Sequence, residues 1–155
     1  MAEKEGDTRD LQSARPGERR VAAGGPTGAS GERRARILVI DDEPLLGQTL
    51  RLAFEDTHDV VVATSGRSGL EVLERDVDFD LVLCDLAMPD VNGMLVYQRA
   101  VALDARLARH FVLMTGGAFT PAAREFLAKH PGPRLEKPFE MAEVESLLGE
   151  LRSEG

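Results

Sequence analysis

From residue 36 onward, short apolar runs alternate with stretches in which apolar residues recur every three or four positions. Arg36-Ile37-Leu38-Val39-Ile40 is a continuous run rich in β-branched residues and predicts a strand buried on both faces. Pro44 suits the first turn of a helix, and Leu46, Leu50, Ala53 and Phe54 then fall on one helical face. Asp59-Val60-Val61-Val62-Ala63 predicts a second strand. Ser65 is placed to cap a second helix with Leu70, Leu73 and Val77 inward. Phe79 to Cys84 predicts a third strand that ends at Asp85. Asn92-Gly93 opens a helical stretch running to about Leu107. His110 to Met114 predicts a fourth strand ending at Thr115, followed by the Gly116-Gly117 loop. Thr120-Pro121 reads as an N-cap with proline in the first turn, so a short helix covers about 121–129. Arg134-Leu135-Glu136 is a brief fifth strand, and Met141, Val144, Leu147, Leu148 and Leu151 form the stripe of a last helix. Five strands alternating with five helices predict an α/β fold, a doubly wound parallel sheet covered on both faces.

Residues 1–35 break this pattern. They hold six of the 15 glycines, seven basic and six acidic residues, and beyond Met1 only Leu11 and Val21 as large apolar side chains. Such a segment cannot bury enough surface to offset its ordering entropy, which predicts a disordered N-terminal tail or linker over 1–35 and a folded domain over 36–153. The acidity therefore belongs to residues 36–155, where 12 basic residues face 21 acidic ones, a balance of −9 against −8 for the whole chain. An acidic domain is a poor direct partner for nucleic acid. Cys84 is the single cysteine, which excludes an intrachain disulfide and suits a reducing cytoplasm. No apolar run reaches the length of a bilayer span. His58, His110 and His130 are scattered and suggest no metal site. No internal repeat appears.

In open α/β sheets, ligands bind beyond the carboxyl ends of the strands, so the residues at those ends are the candidates. The first predicted strand is followed by Asp41, Asp42 and Glu43, the third by Asp85, the fourth by Thr115 and the fifth by Lys137-Pro138. Each has an ordinary reading: a solvated helix start, a turn aspartate, loop chemistry, a surface lysine. Together they bring acids, a hydroxyl and an ammonium to one end of a sheet. Three carboxylates crowded in a half-buried site call for a cation, and a hard oxygen-binding ion such as Mg²⁺ answers that need. A carboxylate can attack a phosphoryl group to form an acyl phosphate. Asp85 is then the candidate nucleophile, with Thr115 and Lys137 placed to bond the phosphoryl oxygens.

These residues also carry a family resemblance. Ile37 to Pro44, Leu83 to Asp90, Asn92-Gly93, Met114-Thr115-Gly116 and Lys137-Pro138-Phe139 resemble, in order, the signature blocks of response-regulator receiver domains. The resemblance covers about residues 35–153. It implies a flavodoxin-like (βα)5 fold with strand order 2-1-3-4-5. It also implies Asp41 and Asp42 as the pair holding Mg²⁺, Asp85 as phosphoacceptor and the Ala87 backbone carbonyl as a further metal ligand. Thr115 would be the switch hydroxyl, and Lys137 the phosphoryl-contacting lysine, followed by a cis bond to Pro138. The implied phosphoryl donor is a phosphohistidine on a histidine kinase or histidine phosphotransfer protein. The implied output is a conformational switch read by a protein partner over about residues 121–151. The chain would then catalyse only its own phosphorylation and dephosphorylation, in the cytoplasm, as a single-domain regulator or the receiver of a hybrid histidine kinase. Arg134 departs from the family pattern, which has Tyr or Phe there. We expect it to move relative to an acidic neighbour instead. Ala87 and Gly117 are small and leave room beside the site for water.

Two other readings compete. Aspartate-nucleophile Mg²⁺ phosphohydrolases share the acyl phosphate chemistry, but they need an acid two residues after the nucleophile, where this chain has Ala87. A phosphorylation-independent interaction module has no use for so costly a cluster of like charges.

Overall fold

The computed structural model describes residues 33–117, 120–130 and 132–154. The tail expected over 1–35 falls almost wholly outside them. Ala35 is an exception: it is fully buried and its N–H donates to His58 Nδ1 at 3.0 Å.

The strands are β1 (Arg36–Ile40), β2 (Asp59–Ala63), β3 (Leu81–Asp85), β4 (Phe111–Thr115) and β5 (Arg134–Glu136). The helices are α1 (Pro44–Phe54), α2 (Gly66–Arg75), α3 (Gly93–Leu103), α4 (Pro121–Lys129) and α5 (Met141–Glu154). The sheet is parallel throughout, in the order β2-β1-β3-β4-β5. This is the expected flavodoxin-like topology, and its order reverses between β1 and β3.

Strand alternation divides the core in two. Leu38, Ile40, Val82, Cys84, Phe111 and Leu113 point to one face and pack with Leu70 and Leu73 of α2, Val96 and Ala100 of α3 and Leu127 of α4. Ile37, Val39, Leu81, Leu83, Val112 and Met114 point to the other and pack with Leu50 and Phe54 of α1 and Val144, Leu148 and Leu151 of α5. Burial on both faces is why these strands read as unbroken apolar runs. Parallel strands also put all their carboxyl ends on one rim, and the long-range grouping of the candidate residues rests on that.

The helix starts follow local chemistry. The Ser65 and Ser68 side chains cap α2 reciprocally, Asn92 caps α3 through Leu95 N–H, and Thr120 caps α4 through Ala123 N–H.

Four expectations change. The helix expected to reach Leu107 ends at Leu103, and residues Ala105–Arg109 form a 3-10 turn. Asp104 causes the break: its carboxylate accepts from the Arg106 N–H at 2.9 Å and grips the Arg106 guanidinium at 2.6 Å. Local side-chain bonds of this kind compete with the helical ladder. Ala53 is exposed, because α1 turns Gly47 toward the sheet, where a Cβ would lie 2.5 Å from Val62 Cγ1. Val77 lies beyond the end of α2, though it still packs on the core. Strands β3 and β4 start later than expected, at Leu81 and Phe111. Phe79 is buried outside the strand, and the Asp80 carboxylate accepts the Arg36 N–H at 2.8 Å.

Candidate phosphoacceptor and metal site

The carboxyl rim of the sheet gathers the expected residues. Asp41 follows β1, and its N–H donates to the Ala63 carbonyl at the end of β2. Its side chain is 1% exposed; one oxygen accepts the Glu43 N–H at 2.8 Å and the other accepts Lys137 Nζ at 2.8 Å. Asp42 is exposed beside it. Asp85 is the last residue of β3 and is buried, with its Oδ1 3.5 Å from the same Lys137 nitrogen. One oxygen from each of Asp41, Asp42 and Asp85 lies within 4.8 Å of the others. A trio of carboxylates with one exposed member is a donor set that fits a hard divalent cation reached from solvent.

Thr115 ends β4 and is 1% exposed. Its hydroxyl is buried and has no partner among the described residues, while its carbonyl accepts the Lys137 N–H at 2.8 Å. A buried hydroxyl without a partner costs free energy. The Lys137-Pro138 peptide is cis, as expected.

The electrostatics agree with this arrangement. Burial, then the charge of Asp41, pushes the Asp85 carboxyl above the ordinary range, against the opposing pull of Lys137 and of a hydrogen bond from the Ala87 backbone. Burial alone would lower Lys137, but the Asp41 hydrogen bond and the charges of Asp85 and Asp41 override it and raise the ammonium. One cation thus serves two buried acids, and the cluster holds more negative charge than Lys137 neutralises.

Arg134 sits apart from this group. It is exposed on β5, and the ion pairs among the described residues do not include it. Its charge instead adds to burial in depressing His130, whose ring stacks on Phe126 at 5.6 Å. Of the Gly116-to-Thr120 loop, residues 118 and 119 lie outside the described residues. One polar anchor near the site was not singled out from the sequence: Asp90, in the loop after β3, accepts the backbone N–H groups of Gly66 and Arg67, 24 and 23 residues away. Among the described residues, no helix is long and apolar enough to cross a membrane.

Comparison with known proteins agrees with the fold. Residues 37–148 match the family described as the response regulator receiver domain. The transcriptional regulatory protein BtsR of Escherichia coli is 29% identical over 125 residues, covering 77% of this chain and 48% of BtsR. The chain spans about half or less of the length of such curated relatives. The non-phosphorylated HemR receiver domain of Leptospira biflexa is 32% identical, with a TM-score of 0.61, covering 76% of this chain and 94% of that one. A CheY-like receiver domain protein from Methanospirillum hungatei has a TM-score of 0.66 at 23% identity, covering 79% and 99%, and shares the fold. With its strand order, its rim of acids, hydroxyl and lysine, and a family match over most of its length, the chain belongs to the response regulator receiver domain family of two-component signalling.

Proposed function

We propose that this domain takes a phosphoryl group from a phosphohistidine onto Asp85 and relays the event by changing conformation. The supporting observation is the buried Asp85 carboxylate beside Lys137, with Asp41 and Asp42 near it and an unpartnered Thr115 hydroxyl on the same rim. An Asp85 oxygen attacks phosphorus, the phosphorus–nitrogen bond of the donor breaks, and the neutral imidazole leaves with a proton from solvent. Lys137 balances charge on the phosphoryl oxygens, and the Thr115 hydroxyl donates to one of them. Asp41, Asp42, Asp85 and the Ala87 carbonyl would hold Mg²⁺, which supplies charge neutralisation and orientation of the transferring group when bound. The partner in this reading is a histidine kinase or phosphotransfer protein in the cytoplasm, with residues of about 121–151 offered to a downstream protein. BtsR is named a transcriptional regulatory protein. The expectation of no direct nucleic-acid contact is thus confined to the acidic domain itself. The domain acts as a catalyst only on itself.

Incubation with ³²P-labelled acetyl phosphate tests this. Mg²⁺-dependent, acid-stable and base-labile label that vanishes in Asp85→Ala is the expected result. Sustained turnover of p-nitrophenyl phosphate would instead favour the phosphohydrolase reading, and label persisting in Asp85→Ala would refute the assignment.

A further inference from the structure

The loop from Leu86 to Asn92 carries Ala87 past the carboxylate of Asp85, and it is tied down at both ends. At its start, the Leu86 N–H donates to the Met114 carbonyl at 2.9 Å, and the Leu86 carbonyl accepts the Gly93 N–H at 2.9 Å. Gly93 sits so close to the end of β3 that a Cβ would lie 2.5 Å from the Asp85 carbonyl oxygen. Toward its far end, the Asp90 carboxylate spans to another helix. One oxygen accepts the Gly66 N–H at 3.2 Å and the other the Arg67 N–H at 2.9 Å. The next residue closes against the same turn: a Cβ on Gly66 would lie 2.4 Å from the Val91 carbonyl oxygen.

These contacts account for the start of α2. Helix N-termini leave their first N–H groups without intrahelical partners. Here Ser65 takes the Ser68 N–H at 3.0 Å, and Asp90 takes the two before it. The side chain that completes the helix start thus belongs to the site loop, and a carboxylate suits the positive end of the helix. The bonds to the Gly66, Arg67 and Val91 backbone hold Asp90 ionised, below the usual carboxylate range. Between the Leu86 and Asp90 anchors lies the Ala87 backbone, which hydrogen-bonds the Asp85 carboxylate.

We propose that Asp90 is a positioning residue for the phosphoacceptor: by clamping the 86–92 loop to α2, it fixes the Ala87 peptide against Asp85 and so sets the cation affinity of the acidic rim. The proposal rests on the reading of that rim as a divalent-cation and phosphoryl site. Asp90 touches neither the cation nor the phosphoryl group in this account. It acts through the loop, as supporting hydrogen bonds do in other metal sites.

The test compares Asp90→Ala, Asp90→Asn and Ser65→Ala in the full chain. Ser65→Ala weakens the same helix start without touching the loop. Two quantities are read: the Mn²⁺ dissociation constant of the unphosphorylated protein, from the paramagnetic resonance of free ion, and the Mg²⁺ concentration giving half-maximal labelling by acetyl phosphate. Mn²⁺ serves as a probe because it takes the same oxygen ligands. Asp90→Ala is expected to weaken Mn²⁺ binding about tenfold and to raise the Mg²⁺ requirement in parallel. Asp90→Asn, which keeps one acceptor oxygen, recovers part of that loss. Ser65→Ala lowers the thermal midpoint and leaves both constants unchanged. Equal Mn²⁺ affinities in wild type and Asp90→Asn, together with equal values for Asp90→Ala and Ser65→Ala, would overturn the proposal. A wild-type chain that neither binds Mn²⁺ nor takes label would sink the reading of the rim itself, and the clamp's purpose with it. Should Asp90→Ala not fold, Asp90→Asn against Ser65→Ala still decides.

Discussion

The two ends of this sheet solve opposite problems with the same kinds of side chain. At the amino end, one ion pair and several hydrogen bonds satisfy the polar groups. The Arg36 guanidinium bonds Asp76 at 2.8 Å and the Asp78 carbonyl at 2.6 Å, and lies 4.5 Å over the Phe79 ring. The Arg36 N–H goes to the Asp80 carboxylate, and His110 Nδ1 meets the Asp80 carbonyl at 3.0 Å. At the carboxyl end, two buried acids share one lysine beside a third, exposed acid, and a buried hydroxyl has no partner among the described residues. The amino end is built for stability. The carboxyl end gives stability up, and that deficit is what a divalent cation and a phosphoryl group can relieve.

The comparison breaks most readily at Lys137. Lys137→Met leaves the buried Asp41 and Asp85 carboxylates uncompensated and costs about 2 kcal/mol in divalent-free urea denaturation. Added Mg²⁺ restores part of that loss, whereas no recovery with Mg²⁺ would separate the lysine from the cation site. Arg36→Ala is the matching change at the other end. It removes an ion pair, a hydrogen bond and a cation–π contact, lowering stability by about 1.5 kcal/mol. Labelling at Asp85 and its Mg²⁺ dependence stay unchanged, because the amino end does not reach the rim.

The carboxyl end should also yield substitutions that stabilise. Burial and the charge of Asp41 hold Asp85 above its ordinary value of 3.8, so the folded state keeps a proton that the unfolded state has released. Without divalent cation, stability therefore falls as pH rises from 3.8 through the raised folded-state value, and the penalty is complete above it. Asp85→Asn removes the penalty and raises the neutral-pH thermal midpoint by roughly 3–5 °C. The gain disappears in acid, where the carboxyl is protonated in both states. A lower midpoint for the variant at neutral pH would contradict the electrostatic account. The smallest effect belongs to Thr115→Val, which replaces an unpartnered hydroxyl with a methyl group of the same shape. Stability stays within about 1 kcal/mol of wild type, with any change toward greater stability. The spectral change that accompanies phosphorylation is lost, and circular dichroism and NMR measure the two separately.

The carboxyl end was the more legible of the two in the sequence. Its residues directly follow or end apolar runs whose length and β-branching mark them as strands, so Asp41, Asp85, Thr115 and Lys137 could be placed without knowing any contact. Turn chemistry was legible for the same reason, since Ser65, Asn92 and Thr120-Pro121 act on neighbours within three residues. What stayed hidden depends on distant partners or on local competition. The Asp90 bonds span 23 and 24 residues and follow no periodicity. The apolar spacing of Leu103 and Leu107 continues across Asp104, yet Asp104 turns its carboxylate onto Arg106, which holds its pKa down at about 2, and the helix stops. Ala53 fits the α1 stripe by spacing, but the close approach of Gly47 to Val62 rotates the helix and leaves it in solvent. Arg134 was legible as a departure from the family pattern, but its nearness to His130 was not.

The most direct test of the central claim is a Mg²⁺ titration of the amide NMR spectrum, followed by acetyl phosphate. Shifts confined first to residues 41–43, 85–93 and 137, and then extending to Thr115 and Gly116 on phosphorylation, are the predicted result. Ala35, Arg36, Asp80 and His110 should stay still throughout the Mg²⁺ step. Shifts that centre on the Asp76, Asp78 and Asp80 acids, with the Asp41 and Asp85 amides unmoved, would contradict it.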